Sequence, residues 1–457
     1  MASPVLIEVI GDVTDPFEVH ASAVRSLNES HRQATDALSG MGLSGITIDP
    51  TIAPVPMLLH PQGPVSFDGG VLRQLNTLSG GPQSRRAAES FGGRSTVIAA
   101  FVEEGRLPEL RARPGIIVWP NSELRLFNES ATAGRVDCGP FRPAVDLATI
   151  RATLGVDPAW NDGFKGRNIV VGIIDEGVNG TTYPVTGGFS RPGSPVAAGS
   201  ASITSHGSMC AADVLVAAPE AKIYDYPFLG IPNSGGALQM FQAVLDQRRR
   251  DGTPHVTNSS YGFVAVPSAA AEPNHEIHDI NHPLHRKVRE VIAAGVACFF
   301  AAGNCGQDCP DGRCDVSGIG PGRSIHASNS LIEVITIAAV NNGRERIGYS
   351  SQGPGMFERA KPDLASYSHF FGNFGPGRPG GAATPFDSGT SAATPVAAGV
   401  AAMLLSAFPG LTPAGLKNVL VNTAIGGGAW NADFGHGIID AARAYNFLKS
   451  SPPPPTV

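Results

Sequence analysis

No run of about 18 apolar residues, the length a membrane-crossing helix needs, occurs in the 457-residue chain. A signal-like leader is missing as well. The apolar stretch Pro4 to Ile10 is too short for a signal core and lacks both a basic leader and a small-residue cleavage site. As written, the chain is expected in the cytoplasm, or outside the cell if a signal has already been removed. Basic clusters are scarce: Arg248, Arg249 and Arg250 are the one short run, and the net charge is −6. Nucleic acid is therefore not an expected partner, nor is a membrane, and the Arg run reads as the solvated end of a helix. The six cysteines contain no paired CxxC, so a zinc ribbon or finger is not expected. Cys210 and Cys298 lie in apolar, small-residue segments and read as buried free thiols. For Cys305, Cys309 and Cys314 a disulfide and a metal site both stay open.

What is present is enough for a large core. Hydrophobic residues make up 42 % and charged residues 16 % of the chain, and the 56 Gly and 38 Pro lie mostly between apolar runs, as loop chemistry does. The length suits a large α/β catalytic domain with a smaller companion.

Over residues 1–125 the pattern is strand, helix, strand, then strand, helix, strand. The runs are Leu6 to Ile10, Phe17 to Leu38, Gly45 to Ile48, Ser95 to Val102, Gly105 to Arg113 and Gly115 to Val118. This predicts a β-α-β-β-α-β sandwich, a smaller α+β domain interrupted by a Gly/Pro-containing insertion around 60–94. Residues 126–150 read as a linker, because Asn, Gly and Pro break any period there. From 151 to 448 short strand-like runs (Asn168 to Asp175, Lys222 to Tyr226, Val256 to Ser260, Val296 to Ala302, Glu333 to Val340) alternate with helical stretches such as Gly236 to Arg249 and Pro283 to Ala294. That grammar predicts an α/β fold, a parallel sheet with helices on both faces. Residues 449–457, with four consecutive Pro, read as a solvated tail.

Two of the apolar strand runs end in chemistry. Asn168 to Ile174 ends in Asp175, and Val296 to Ala302 ends in Gly303-Asn304. Ligands bind beyond the carboxyl ends of strands in such sheets, so both residues fall where a site forms. Two other segments, Ser205-His206-Gly207-Ser208-Met209-Cys210-Ala211-Ala212 and Ser388-Gly389-Thr390-Ser391-Ala392-Ala393-Thr394-Pro395, each open a helix with small side chains. Such helices approach one another closely, which brings a His and a Ser together. A hydroxyl at a helix start also feels the positive helix end, a setting that suits an oxyanion.

These segments resemble those around the catalytic residues of the subtilisin-like serine peptidases, the subtilases. Gly389 to Pro395 matches the family's nucleophile motif except at Ala392, where Met is commoner. His206-Gly207-Ser208 with Ala211 matches its histidine motif, Ala301-Ala302-Gly303-Asn304 its oxyanion stretch, and Gly435 to Ala442 its closing segment, so the likeness spans residues 145–445. The resemblance implies a serine endopeptidase acting on protein or peptide substrates, with Ser391 as nucleophile, His206 as general base, Asp175 as the carboxylate that orients it and Asn304 in the oxyanion hole. It further implies that Ser260-Tyr261-Gly262, with Ala301 and Gly303, binds an extended substrate. No cofactor is required. Calcium is common in the family, but no acidic cluster here is specific enough to name ligands. The first domain resembles the family's propeptide, which makes the chain's own N-terminal part a candidate inhibitor.

One departure stands out: the family places Ser or Thr after the aspartate, and here Glu176 follows Asp175. An extra carboxylate that points inward would raise the pKa of Asp175 or of His206, but adjacent side chains at a strand end diverge, so Glu176 is expected to face a loop or substrate. The four histidines His275, His278, His282 and His285 read as surface residues of an inserted loop rather than as zinc ligands, because Pro283 breaks any helix spanning them. The alternative function, a catalytically silent subtilase-fold binding or regulatory protein, is opposed by the four intact reacting positions. The acid-acting relatives, with Glu for His and Asp for Asn, are opposed by His206 and Asn304.

Overall fold

The computed structural model describes residues 2–10, 24–43, 45–58, 94–126, 143–191, 194–228 and 232–450. The N-terminal part runs β1 (Ala2–Ile10), α1 (Val24–Gly40), β2 (Thr47–Ile48), β3 (Val55–Leu58), β4 (Arg94–Glu103), α2 (Leu107–Arg111), β5 (Ile116–Pro120) and β6 (Arg125–Leu126). The first sheet has the order β2-β4-β1-β5, all antiparallel, with β3 added to β4. This is the α+β sandwich that the pattern predicts, carrying one extra strand. Most of the predicted insertion, residues 60–93, lies outside the described residues, as do residues 17–23 of the predicted first helix.

Period-two patterning in β1 explains how this sheet is used. Val5, Ile7 and Val9 pack with Ala34 and Leu38 of α1 and with Ile98, Ala100 and Val102 of β4. Leu6 points the other way, into a core shared with Leu238, Phe241, Leu284 and Val288 of the larger part of the chain. Glu8 shares the Leu6 face and is fully buried. Its carboxylate accepts from Ser95 Oγ at 2.5 Å, Trp119 Nε1 at 2.9 Å and Arg286 Nη2 at 2.6 Å. Removing one member of a buried ion pair strands the other charge. Glu8→Ala, made together with Ser391→Ala, is accordingly expected to destabilise the chain by about 3–5 kcal/mol in denaturant titration. A change under about 1 kcal/mol would mean that the Glu8 and Arg286 pair does not hold the two parts together.

Helices α3 (Leu147–Leu154) and α4 (Asp157–Asn161) lead into the larger part, α3 starting inside the stretch that reads as linker because Asp146 caps it through the Thr149 amide. The large sheet then alternates with helices: β7 (Val170–Asp175), β8 (Val185–Gly188), α5 (His206–Ala217), β9 (Lys222–Pro227), α6 (Ser234–Asp251), β10 (Val256–Ser259), β11 (Tyr261–Gly262), α7 (Pro283–Ala293), β12 (Ala297–Ala301), β13 (Ile335–Val340), β14 (Leu364–Tyr367), α8 (Thr390–Ala407), α9 (Pro413–Thr423) and α10 (Ala441–Ser450). Seven strands pair in the order β14-β13-β12-β10-β7-β9-β8, every neighbouring pair parallel. Strand order reverses direction at β7 and β10, which opens a crevice at their carboxyl ends.

Helix α8 is long and apolar enough to cross a membrane by composition alone, but it is mostly buried, as the central helix of this core. It packs against α5 at unusually short range: a Cβ at Gly399 would lie 2.3 Å from the Val214 carbonyl oxygen. A Cβ at Gly207, in the first turn of α5, would lie 2.4 Å from Gly177 O in the segment after β7. Gly399 is thus required by the approach of the two helices, and Gly207 by the approach of α5 to that segment.

Candidate active site

Asp175 ends β7 and is fully buried. His206 is the first residue of α5, whose cap is Ser205: its hydroxyl accepts the Ser208 amide at 3.1 Å and donates to Gly177 O at 2.7 Å. The imidazole Nδ1 lies 2.8 Å from Asp175 Oδ1 and 2.9 Å from Oδ2. That contact makes Nδ1 the protonated, donating nitrogen and leaves Nε2 as the basic one. Nε2 is buried and has no hydrogen-bond partner among the described residues. Burial works against the imidazolium, but the Asp175 charge and hydrogen bond, followed by the Glu176 charge, outweigh it. The His206 pKa is therefore held above its ordinary value, with Arg313 opposing.

Ser391 lies at the start of α8, behind Gly389, whose φ of 82° lets the chain turn into the helix. Its hydroxyl is 3.5 Å from Ser260 O. Pro395, four residues on, has no N–H to give, so the Ser391 carbonyl loses its usual helical partner. That carbonyl instead accepts from Ser260 Oγ at 3.3 Å and from Cys210 Sγ at 3.6 Å. Burial and the Asp175 and Asp213 charges push the Cys210 thiol well above its usual pKa, which keeps the S–H donor in place. Ser260 Oγ in turn accepts from Asn258 Nδ2 at 3.0 Å.

Asn304, just past β12, has its side-chain orientation set by Thr390. Both the Thr390 amide (3.0 Å) and its hydroxyl (2.9 Å) donate to Asn304 Oδ1, which turns Nδ2 the other way. Thr390 Oγ1 also accepts the Gly303 amide at 3.2 Å, and the Ala301 carbonyl accepts from Asn329 Nδ2 at 2.8 Å. Gly303 and Ala301 therefore brace the wall around Asn304 through internal hydrogen bonds. Tyr261 and Gly262 form β11, and their edge is occupied by the chain itself. Leu126 pairs with Tyr261 and Arg125 with Gly262, antiparallel, so that the C-terminal end of β6 points at Ser260.

Two expectations change on this view, and one open choice is resolved. Glu176 does not face a loop: its carboxylate accepts the backbone N–H of His206. The unsatisfied first amides of α5 attract it there. Three of the four histidines are not on the surface: His282 and His285 are fully buried and His275 nearly so, while His278 is half-buried. They pack under the N-terminal part, where Trp119 meets His282 edge-on at 5.6 Å between ring centres. Burial lowers His285 to about 3 and His275 to about 4, so both are neutral. Both His285 ring nitrogens are engaged, with Ser328 Oγ and Glu276 O. The cysteine loop is closed by a disulfide between Cys305 and Cys314, while Cys210 and Cys298 are buried thiols as expected. Sequence reading gave no role to Thr390, Cys210, Asn258 or Asn329. Of these, Thr390 stands beside Ser391 in the motif, and Pro395 is the signal for a free carbonyl that Cys210 and Ser260 fill.

A parallel sheet that delivers a carboxylate, an amide and a small-residue Ser helix to one carboxyl edge, beside a His helix, is the subtilisin-like fold. The sequence model of the subtilase family matches residues 166–437, more than half of the chain, and the chain belongs to that family. It is similar to the serine protease AprX of Bacillus subtilis (strain 168), 28 % identical over 250 residues that make up 48 % of this chain and 52 % of AprX. Subtilisin DY of Bacillus licheniformis is 28 % identical over 297 residues, 63 % of this chain and 94 % of that protein. The chain thus spans about half the length of AprX. Among solved structures, fervidolysin from Fervidobacterium pennivorans, a keratinolytic enzyme related to subtilisin, matches with a TM-score of 0.55 at 19 % identity, over 90 % of this chain and 62 % of that one. This last likeness is one of fold.

Proposed function

We propose that the chain is a serine endopeptidase that cleaves peptide bonds through an acyl-enzyme. The observation that carries this reading is the two-pronged hydrogen bond from His206 Nδ1 to Asp175, which leaves a buried, unpartnered Nε2 as base. In the first step Ser391 Oγ bonds to the substrate carbonyl carbon while its proton passes to Nε2. Asp175 stabilises the imidazolium, and Asn304 with the Ser391 amide holds the oxyanion. The imidazolium then protonates the leaving amine, and water releases the acyl group by the reverse route. Labelling with a fluorophosphonate tests the assignment: the tag is expected on the peptide that contains Ser391, a tag elsewhere would identify another nucleophile, and no tag would leave the silent-binder reading.

Residues 1–125 act in this reading as a propeptide-like inhibitor, 126–150 as the joining segment and 151–448 as the peptidase. The pairing of β6 with β11 supports it, because an added strand at that edge occupies the path of an extended substrate. Full-length protein is expected to cut itself once within residues 120–150, and the released N-terminal fragment to remain bound and inhibitory, as mass spectrometry and inhibition assays would show. Ser391→Ala should stay at full length. Wild type that remains intact yet fully active on a peptide would instead make the first part a permanent accessory domain. No cofactor enters these steps. The disulfide between Cys305 and Cys314 favours an oxidising compartment over the cytoplasm as the site of action.

A further inference from the structure

The carboxylate next to Asp175 has no part in the steps above, yet it is built into the site. Glu176 donates its own amide to Asp175 Oδ1 at 2.8 Å, and its side chain accepts the amide of His206. Together with the bond from the His206 ring to Asp175, these contacts close a ring: Glu176 amide, Asp175 carboxylate, His206 imidazole, His206 amide, Glu176 carboxylate. The carboxylate and Ser205 serve different amides of the first turn of α5, His206 and Ser208 respectively. A negative group is favoured at that end of a helix. The titratable and charged groups that act on the imidazole come from several elements. Asp175 ends β7 and Glu176 follows it, the protonated Cys210 is one turn along α5, and Arg313, paired with Asp311 at 2.8 Å, lies in the disulfide loop.

We propose that Glu176 is a positioning residue for His206: its carboxylate fixes the backbone from which the imidazole projects and places a second negative charge beside the imidazolium formed when Ser391 gives up its proton. This rests on the reading of His206 as general base. Two carboxylates then share the stabilisation of one transient cation. Burial first and the Asp175 charge second raise the Glu176 pKa above its ordinary value, with the His206 charge and amide opposing, so the second negative charge is present only above that raised pKa. Carboxylates favour the protonated ring, activity needs the neutral ring, and removing the Glu176 charge lets the ring lose its proton at lower pH.

Glu176→Gln keeps an oxygen to accept the His206 amide and removes the charge, whereas Glu176→Ala removes both. For Glu176→Gln the acidic limb of kcat/KM is expected to move to lower pH. In a Ser391→Ala background the NMR titration of the His206 ring nitrogens should move the same way, with no turnover involved. Glu176→Ala is expected to lose about tenfold in kcat on the plateau with KM within about twofold, the pattern of a misplaced base. An unmoved acid limb and an unmoved ring titration in Glu176→Gln would overturn the charge role, and wild-type kcat in Glu176→Ala would overturn the positioning role. His206→Ala keeps this apart from the parent reading. If that variant stays active, the general base is elsewhere; if it is inactive while both Glu176 variants behave as wild type, the fault lies with Glu176 alone.

Discussion

Replacement of Ser391 by alanine is expected to bring peptide hydrolysis below about a thousandth of the wild-type rate, because loss of a triad nucleophile commonly costs far more than that. The fold should survive. Ser391 is buried at the start of α8 among Ala392 and Ala393, and alanine gives up the hydroxyl's long 3.5 Å bond to Ser260 O but keeps the carbonyl that Cys210 and Ser260 bond. Circular dichroism and an unfolding curve close to wild type, combined with single-turnover assays, check both halves of the expectation. Turnover above about a thousandth of wild type would point to another nucleophile.

Asn304→Ala is expected to lower kcat by about 10²–10³ with little change in KM, the loss typical when one oxyanion donor is removed. The geometry says why the effect should fall on kcat. Thr390 holds Asn304 Oδ1 through two hydrogen bonds, so Nδ2 is oriented before any substrate arrives and its interaction matters most when the carbonyl oxygen gains charge. The variant has a second consequence to control for, since the Thr390 amide and hydroxyl lose their acceptor. Thr390→Val, which removes the hydroxyl and leaves Asn304 in place, separates loosened orientation from loss of the donor. An unchanged kcat in Asn304→Ala would remove this residue from the oxyanion hole.

Much of this site is legible in the chain because its residues sit at the ends of strongly patterned elements. The apolar runs before Asp175 and Asn304 and the small-residue openings after Ser205 and Gly389 each have one compatible structure, and all lead to one edge of the sheet. Glu176 departs from the divergence expected of adjacent side chains because the amide of His206, at the helix start, draws the carboxylate inward. The burial of the histidines is hidden in the sequence for a related reason. Their loop looks polar and irregular, but the N-terminal sheet covers it, and coverage by a distant part of the chain leaves no local period. The disulfide partner choice within the cysteine loop depended on backbone approach that spacing does not encode.

The segment that carries Ser391, and with it the carbonyl that Pro395 leaves open, comes late in the chain. Asp175, His206, Ser260 and Asn304 all leave the ribosome before Ser391, and domains generally fold as they are made, from the N-terminal side. The group that knots Cys210 and Ser260 to the nucleophile comes last. Under the proposed function a nascent chain that carries those residues but not Ser391 has no nucleophile, and in the folded chain β6 lies along the edge where an extended substrate would go.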